Sequence, residues 1–478
     1  MRIAIYLVLA CLIPISNLFS QERMGLQIEK YSGVNALRIN PGNGALSPFS
    51  WDVNLVGAGL FVENRFAFAQ PTNLFHMIMN SGNLMVNDPA GENPNPGPND
   101  ILVDYFSDSK ERMLSMDISL LGPSFMVQFG ENHSIGILTE ANVVMGGFNL
   151  DKNLGIYDLV DVADDTRIEI EAFDLSGMAW SEFGFHYSYS KENYLGKFSI
   201  GANLKLLKGY EGFYLNVAKP ISAHKVSSDS VSVDPIDLGF GMTNRTMESS
   251  SFTPNPIGNG FGMDLGMTWI FDVEEDDYRA KVGLSLVDIG KISFDKWTEK
   301  YRVRSTDMMN DLDTDAFSGI DNVEEAVEEL GNQFMGDTTS FKQIGGFEMW
   351  TPAGLSIQGD FQIIKGLYVG AILTNRLSLG EISVPRNNTL AVYPRFENRW
   401  FGIGFPMVVN NWQDFRLGTS ARVGFLTIGS DNLGSLIGKS TLTGTDLYFA
   451  LKVNPFEIGL FGKKSKKKGK SVRCYDFK

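Results

Sequence analysis

A period of two in side-chain character runs along most of the chain. In residues 198–206, Phe198, Ile200, Ala202, Leu204 and Leu206 share one face, while Ser199, Gly201, Asn203 and Lys205 share the other. In 263–271, Met263, Leu265, Met267, Trp269 and Phe271 oppose Asp264, Gly266 and Thr268. In 415–425, Phe415, Leu417, Thr419, Ala421, Val423 and Phe425 oppose Arg416, Gly418, Ser420, Arg422 and Gly424. Successive side chains of a strand point to opposite faces, so these are strands with one apolar and one polar side. The dyad recurs in 182–190, 281–287, 355–363, 401–405 and 447–453. A soluble sandwich would alternate too. What distinguishes a membrane barrel is the content of the faces: Gly, Ser, Asn and both signs of charge suit a wet or ion-paired lumen, and aromatic-rich outer faces suit lipid. The expected fold is all-β, a transmembrane antiparallel β-barrel of about 14 strands, with a secreted sandwich or solenoid as the alternative.

The connectors give this barrel a direction. Short ones fall at 131–133, 191–195, 273–277, 365–366 and 397–399, and long ones at 70–112, 146–173, 211–257 and 291–344. Outer-membrane barrels have short periplasmic turns and long external loops, so both termini are expected in the periplasm. Residues 211–257 have room for an extra hairpin. Residues 87–100 are too rich in Pro, Asn and Gly to pair into a sheet. In 320–334 the period changes: Val323, Val327, Leu330 and Phe334 take one side and Glu324, Glu325, Glu328 and Glu329 the other, which predicts an amphipathic acidic helix capping the mouth.

The first twenty residues hold Arg2, an apolar run from Ile3 to Ile13 and a polar stretch to Ser20, the pattern of a signal peptide cleaved after Ser20. Cys11 follows Val8-Leu9-Ala10, a lipoprotein-like box, but Leu12 and Ile13 continue the apolar run, so plain cleavage is favoured over lipidation. Beyond it no apolar run approaches the roughly 18 residues of a membrane helix. This divides the chain into a signal (1–20), an N-terminal hatch segment (21–50), the barrel (51–462) and a basic periplasmic tail (463–478). The chain has 41 Lys+Arg against 56 Asp+Glu, a net charge of −15, which argues against nucleic acid as partner. The tail inverts this sign with Lys463, Lys464, Lys466, Lys467, Lys468 and Lys470, a block suited to anionic lipid or an acidic partner. Cys474, the one cysteine after the signal, has no intramolecular disulfide partner.

The polar faces nominate lumenal residues: Glu182, His186, Lys205, Asp264, Lys281, Asp360, Arg416 and Arg422. Charges facing a barrel interior either select solutes or pair with one another, and pairing is favoured here. Asp311, Asp313 and Asp315 have the one-three-five spacing of calcium loops. Ala316 stands where that loop needs Gly and Asn322 where it needs Glu, so an ordinary acidic loop is the better reading. No nucleophile elbow or Ser-His-Asp grouping is present, and neither an enzyme nor a cofactor is expected.

Short stretches add a resemblance. Asn35 to Leu46, with Asn40-Pro41-Gly42 after Tyr31-Ser32-Gly33, resembles the N-terminal Asn-Pro-Ala hatch of fatty-acid-transporter-like barrels, with Gly42 in place of Ala. Residues 425–433, followed by Gly444-Thr445-Asp446-Leu447-Tyr448, resemble a Bacteroidota family of uncharacterised outer-membrane barrels, as do residues 51–55, 204–209 and 350–352. The resemblance implies the architecture of secretion-associated PorV-like and fatty-acid-transporter-like barrels, and no defined substrate. With large loops and a lumen of mixed charge, the expected function is a plugged scaffold or accessory subunit of an envelope complex of secretion or assembly type. Its partners would be outer-membrane lipid and envelope proteins docked through the loops and tail. The alternative is a passive channel or transporter for small or hydrophobic solutes.

Overall fold

An open sheet leaves two edges of unpaired backbone groups, and only pairing the first strand with the last removes them. In the computed structural model, Trp51–Asn64 (β1) pairs antiparallel with Gly444–Val453 (β14), Val53 facing Val453 and Glu63 facing Gly444, so the sheet closes. The structure describes residues 23–455 except 81–83, 90–93, 109, 157–161, 228–229, 244–254, 274–276, 314–315, 317–319, 321–322, 337–340 and 439. The expected signal with Cys11, the basic tail with Cys474, and the positions of Asp315 and Asn322 lie outside the described residues.

Between the closing strands run β2 (Met113–Leu121 and Ser124–Phe129), β3 (His133–Phe148), β4 (Phe173–Asn193), β5 (Gly196–Val217) and β6 (Gly258–Phe271). They continue as β7 (Ala280–Phe294), β8 (Phe347–Trp350 and Gly354–Ile364), β9 (Leu367–Arg376) and β10 (Thr389–Glu397). The circuit ends with β11 (Phe401–Gly404 and Met407–Asn410), β12 (Asp414–Leu417 and Thr419–Val423) and β13 (Leu426–Ser430), which pairs with β14. Each strand pairs antiparallel with the next, giving a closed barrel of 14 strands, as the alternation predicts. Pro123, Pro352 and Pro406 sit at three of the strand interruptions, where a missing N–H leaves no ladder bond unmade.

The faces follow the sequence pattern. Ile200, Leu204, Leu206, Leu265, Met267, Val282, Leu284 and Val423 are exposed on the outside, while Asn203, Lys205, Asp264, Ser285 and Arg422 are buried inside. Near the short turns the outer face becomes aromatic: Phe129 stacks on His133 at 5.1 Å, Trp269 on Phe271 at 5.1 Å, and Phe198 meets Trp269 edge-on at 6.0 Å. Such a belt matches the level of lipid head groups. No helix among the described residues is long and apolar enough to cross a membrane.

At the opposite end the strands outrun any bilayer. β5 has 22 residues, against about 9–11 for a spanning strand. Two of the stretches expected as loops, 146–173 and 211–257, therefore begin as wall. Residues 213–217 pair with Asp237–Thr243, which pairs with Thr298–Arg304. All seven residues of Asp237–Thr243 are buried, so both faces are covered although Leu238, Phe240 and Met242 alternate with Asp237, Gly239, Gly241 and Thr243. The hairpin foreseen within 211–257 is Ile221–Ser227 with Ser230–Val233. A second small sheet joins Ala67–Thr72, Leu84–Val86, Ile101–Tyr105 and Ser440–Leu442. The acidic helix spans Val323–Met335, and Val327, Leu330 and Phe334 pack into one apolar core with Ile101, Val103, Leu238, Tyr301 and Val303. The loops thus build a folded cap over the barrel mouth.

Candidate functional site

Residues 23–50 show no hydrophobic period because they belong to no sheet: they thread the lumen as Met24–Gln27, a single α-turn, and the 3-10 turns Gly33–Leu37 and Pro41–Leu46. Short turns leave backbone groups without partners, and the wall supplies them. Asn203 donates to the Leu37 carbonyl at 3.0 Å, Ser285 to Ile39 at 2.6 Å, and Lys452 to Tyr31 and Ser32 at 2.9 and 2.6 Å. In return the Val34 N–H donates to Asp52 at 2.6 Å.

Asn40 of the Asn-Pro-Gly motif is the central anchor. It is fully buried, its Oδ1 accepts the Gly42 N–H at 2.8 Å, and its Nδ2 donates to the Met267 carbonyl at 3.0 Å and to Gln358 at 2.8 Å. Pro41 begins the following turn with its φ already set. Gly44 is required by close approach, since a Cβ there would overlap the His186 ring. Ion pairs complete the seal: Arg422 to Glu29 at 2.8 Å, Arg38 to Glu140 at 2.8 Å and Lys30 to Asp277 at 3.1 Å. Asp277, in the turn between β6 and β7, is pushed up by partial burial. Hydrogen bonds from Tyr368 and Lys30, with the Lys30 charge, outweigh this and hold its carboxyl below the ordinary Asp value.

The nominated lumenal residues all lie inside the barrel, and the structure gathers some of them. Lys205 meets Glu182 at 3.3 Å, Asp264 at 3.1 Å and Asp288 at 2.7 Å. His186 is fully buried, hydrogen-bonded to Asn203 at 2.8 Å and Ser188 at 3.2 Å. Asp360 belongs to a second cluster, where the fully buried Arg395 grips it at 2.6 and 2.9 Å and also reaches Glu397 at 2.9 Å. Arg416 pairs with Glu63 at 2.9 Å, apart from Arg422 and its Glu29. Lys281 is half-buried with its Nζ 5.6 Å from the Tyr278 ring centre.

Several central charges escape a reading of the sequence. Tyr393, Arg395 and Glu397 share the inward face of β10, and a dyad through 389–397 would have revealed them. Asp288 sits at a left-handed residue, φ 55°, where the β6–β7 register shifts, so alternation mispredicts its side. Glu29, Arg23 and Arg38 lie in the aperiodic hatch, where spacing carries no signal.

Two chambers flank the hatch, a polar one and a mixed one. The one toward the cap, about 60 Å³, is lined by Arg23, Arg38, Asp117, Glu140, Trp180, Glu182, Lys205, Asp288 and Arg386. The one toward the short turns, about 180 Å³, is lined by Glu29, Lys30, Asn43, Gln128, Lys197, Asp277 and Lys281 together with Leu46, Pro48, Ile270, Val273 and Tyr278. Above the first lies an apolar layer of Tyr214, Ile292, Phe294, Phe347 and Met349. Among the described residues no group of three or more His, Cys, Asp or Glu is arranged to hold a metal ion.

A family model matches residues 41–431. The chain belongs to the family of unknown function DUF5723. The DUF5723 match starts at Pro41 in the hatch motif and runs through β13. No curated protein matches the sequence. In structure the chain is similar to the Pseudomonas putida toluene transporter TodX, with 9% identity, a TM-score of 0.40, and coverage of 89% of this chain and 95% of that one. It is similar to the Ralstonia pickettii toluene transporter TbuX, with 11% identity, a TM-score of 0.39, and coverage of 89% and 94%. It is also similar to a Pseudomonas aeruginosa FadL homologue, with 8% identity, a TM-score of 0.28, and coverage of 91% and 99%.

Proposed function

We propose that this DUF5723 barrel spans an outer membrane and passes small polar solutes, with the hatch as its gate. The observation that carries the reading is the pair of chambers on the two sides of one thin obstruction. The hatch contains no regular element longer than six residues and adds no strand to the sheet, so moving it breaks side-chain anchors and leaves the barrel's ladder intact. A closed ladder, an apolar outer band and a charged interior support the membrane location. The chamber toward the cap is lined mainly by charged and amide groups, which favours polar over hydrocarbon solutes, while the one toward the short turns mixes such groups with Leu46, Pro48, Ile270 and Val273. The same reading makes the protein a non-enzyme.

Liposome swelling with the full-length protein and sugars of graded size tests this. Glu29→Gln removes the Arg422 ion pair and should raise the entry rate several-fold. No swelling in either protein would end the channel reading. One observation favours a second role: the cap has its own apolar core, which suits a platform for other envelope proteins. Recovery of the same partners by the intact protein and by one lacking the cap helix would remove that helix from the docking surface.

A further inference from the structure

The hatch carries more positive than negative charge: residues 23–50 hold Arg23, Lys30 and Arg38 against Glu29. Arg23 and Arg38 stand in the chamber toward the cap. Arg38 donates to Glu140 at 2.8 Å, and Arg23 reaches the same carboxylate at 3.7 Å. Arg23 also acts on Asp117 of β2, together with Arg386 from the connector between β9 and β10.

The wall of that chamber is weighted the other way. Asp117, Glu140, Glu182 and Asp288 line it, and Asp264, 3.1 Å from Lys205, stands behind them. Against these carboxylates the wall and the connector set Lys205 and Arg386. Lys205 is divided among Glu182, Asp264 and Asp288, and Arg386 pairs with Asp288 at 2.9 Å. With the hatch seated, four cations among the described residues meet five carboxylates, which is close to balance. With the hatch displaced, two cations meet the same five. Glu140 then loses both hatch arginines, and Asp117 keeps Arg386, which it shares with Asp288.

The chamber toward the short turns does not offset this change. Lys30 and Glu29 leave it together, so Lys197 and Lys281 face Asp277 with a surplus of one positive charge before and after. Arg422 loses Glu29 but keeps Glu397 at 3.9 Å. The larger imbalance is therefore the negative one on the cap side. A passage lined by surplus carboxylates concentrates cations and repels anions.

We propose that the open path prefers cations to anions, and that Asp117 and Glu140 set the preference once the hatch arginines withdraw. The proposal rests on the channel reading and names the charge class of its solute. The hatch both blocks the lumen and neutralises it, so the movement that opens the path also completes its charge filter.

Reversal potentials across planar bilayers holding the full-length protein under a potassium chloride gradient test this. The potential reports which ion passes and does not depend on how many channels are open. Wild type should pass potassium several-fold more readily than chloride. Asp117→Asn and Glu140→Gln, each close to the original side chain in volume, should each lower that ratio, and together bring it near unity. Arg386→Gln should raise it. Heat-modifiable migration verifies folding, and Asp117→Asn with Arg386→Gln carries the test should Glu140→Gln fail to fold. A variant that only loosened the barrel would change how often it opens and leave the potential unmoved. Equal passage of both ions, a chloride preference, or a ratio untouched by the folded variants overturns the proposal and leaves the channel standing. No current in any form ends the channel reading and the proposal with it.

Discussion

Replacing Leu204 by Arg tests whether the outer face of the barrel meets lipid. Leu204 is 48% exposed on the outside of β5, six residues above Phe198 in the aromatic belt. Six residues at roughly 3.3 Å each, on a strand tilted by about 40°, place it roughly 15 Å above the belt, near the middle of an apolar band about 25 Å tall. An Arg at that depth costs about 2–4 kcal/mol, falling to about 0–1 near an interface. Val423, also exposed, lies beside the turn at Gly424, so Val423→Arg should cost at the lower end. Asn142→Arg places the same charge in the chamber toward the cap, where carboxylates surround it, and should cost little. Asn203, adjacent to Leu204, is unsuitable as the inward control because its side chain bridges the Leu37 carbonyl and Asp264. Urea titration of each variant folded into vesicles, followed by heat-modifiable migration, gives the three stabilities. Leu204→Arg no more destabilising than Val423→Arg or Asn142→Arg would refute the assignment of faces or of depth.

Arg395→Met leaves Asp360 and Glu397 buried without their shared cation, and should destabilise the barrel by about 3–5 kcal/mol. In the same urea titration, adding Asp360→Asn and Glu397→Gln should recover part of that loss, and no recovery would show that the cluster is not held by charge. The Lys30–Asp277 anchor should respond to acid in one direction only. Because the Asp277 carboxyl is held below its unfolded value of about 3.9, its contribution is complete above that value and is lost as pH falls through the lower folded one. The Asp277-dependent part of the swelling rate, wild type minus Asp277→Asn, should stay flat from about pH 8 to 5 and change only in stronger acid. A change between about pH 7 and 6 would assign the titration to another group.

The barrel was legible because strands of a membrane wall must alternate, and each apolar face seen in the sequence is exposed in the structure. Legibility failed where a second surface covers the strand. Asp237–Thr243 is buried on both faces, yet Leu238, Phe240 and Met242 still alternate with small or polar residues, so the dyad there does not reveal that both sides are covered. The lumenal charges divide in the same way. Lys205, Asp264, Asp360, Arg416 and Arg422 stand on regular strands, and their inward direction follows from their neighbours. Asp288 stands at a register shift, and Glu29 and Arg38 in a segment with no period, so the partners of the legible charges were the residues that could not be read. The scaffold reading gives way to its alternative, a channel, and what no sequence pattern shows is that the hatch leaves a chamber on each side.

The gate itself is most directly tested by single-channel conductance of the full-length protein beside a form lacking residues 23–46, the span of the hatch turns. The strands begin at Trp51 and are not interrupted by that deletion, which heat-modifiable migration verifies. The account predicts small or intermittent conductance in the full-length protein and a large, steady conductance once the hatch is gone. A folded, hatch-free barrel that carries no current would contradict it, because the obstruction would then lie in the cap or the wall and the two chambers would not be parts of one path.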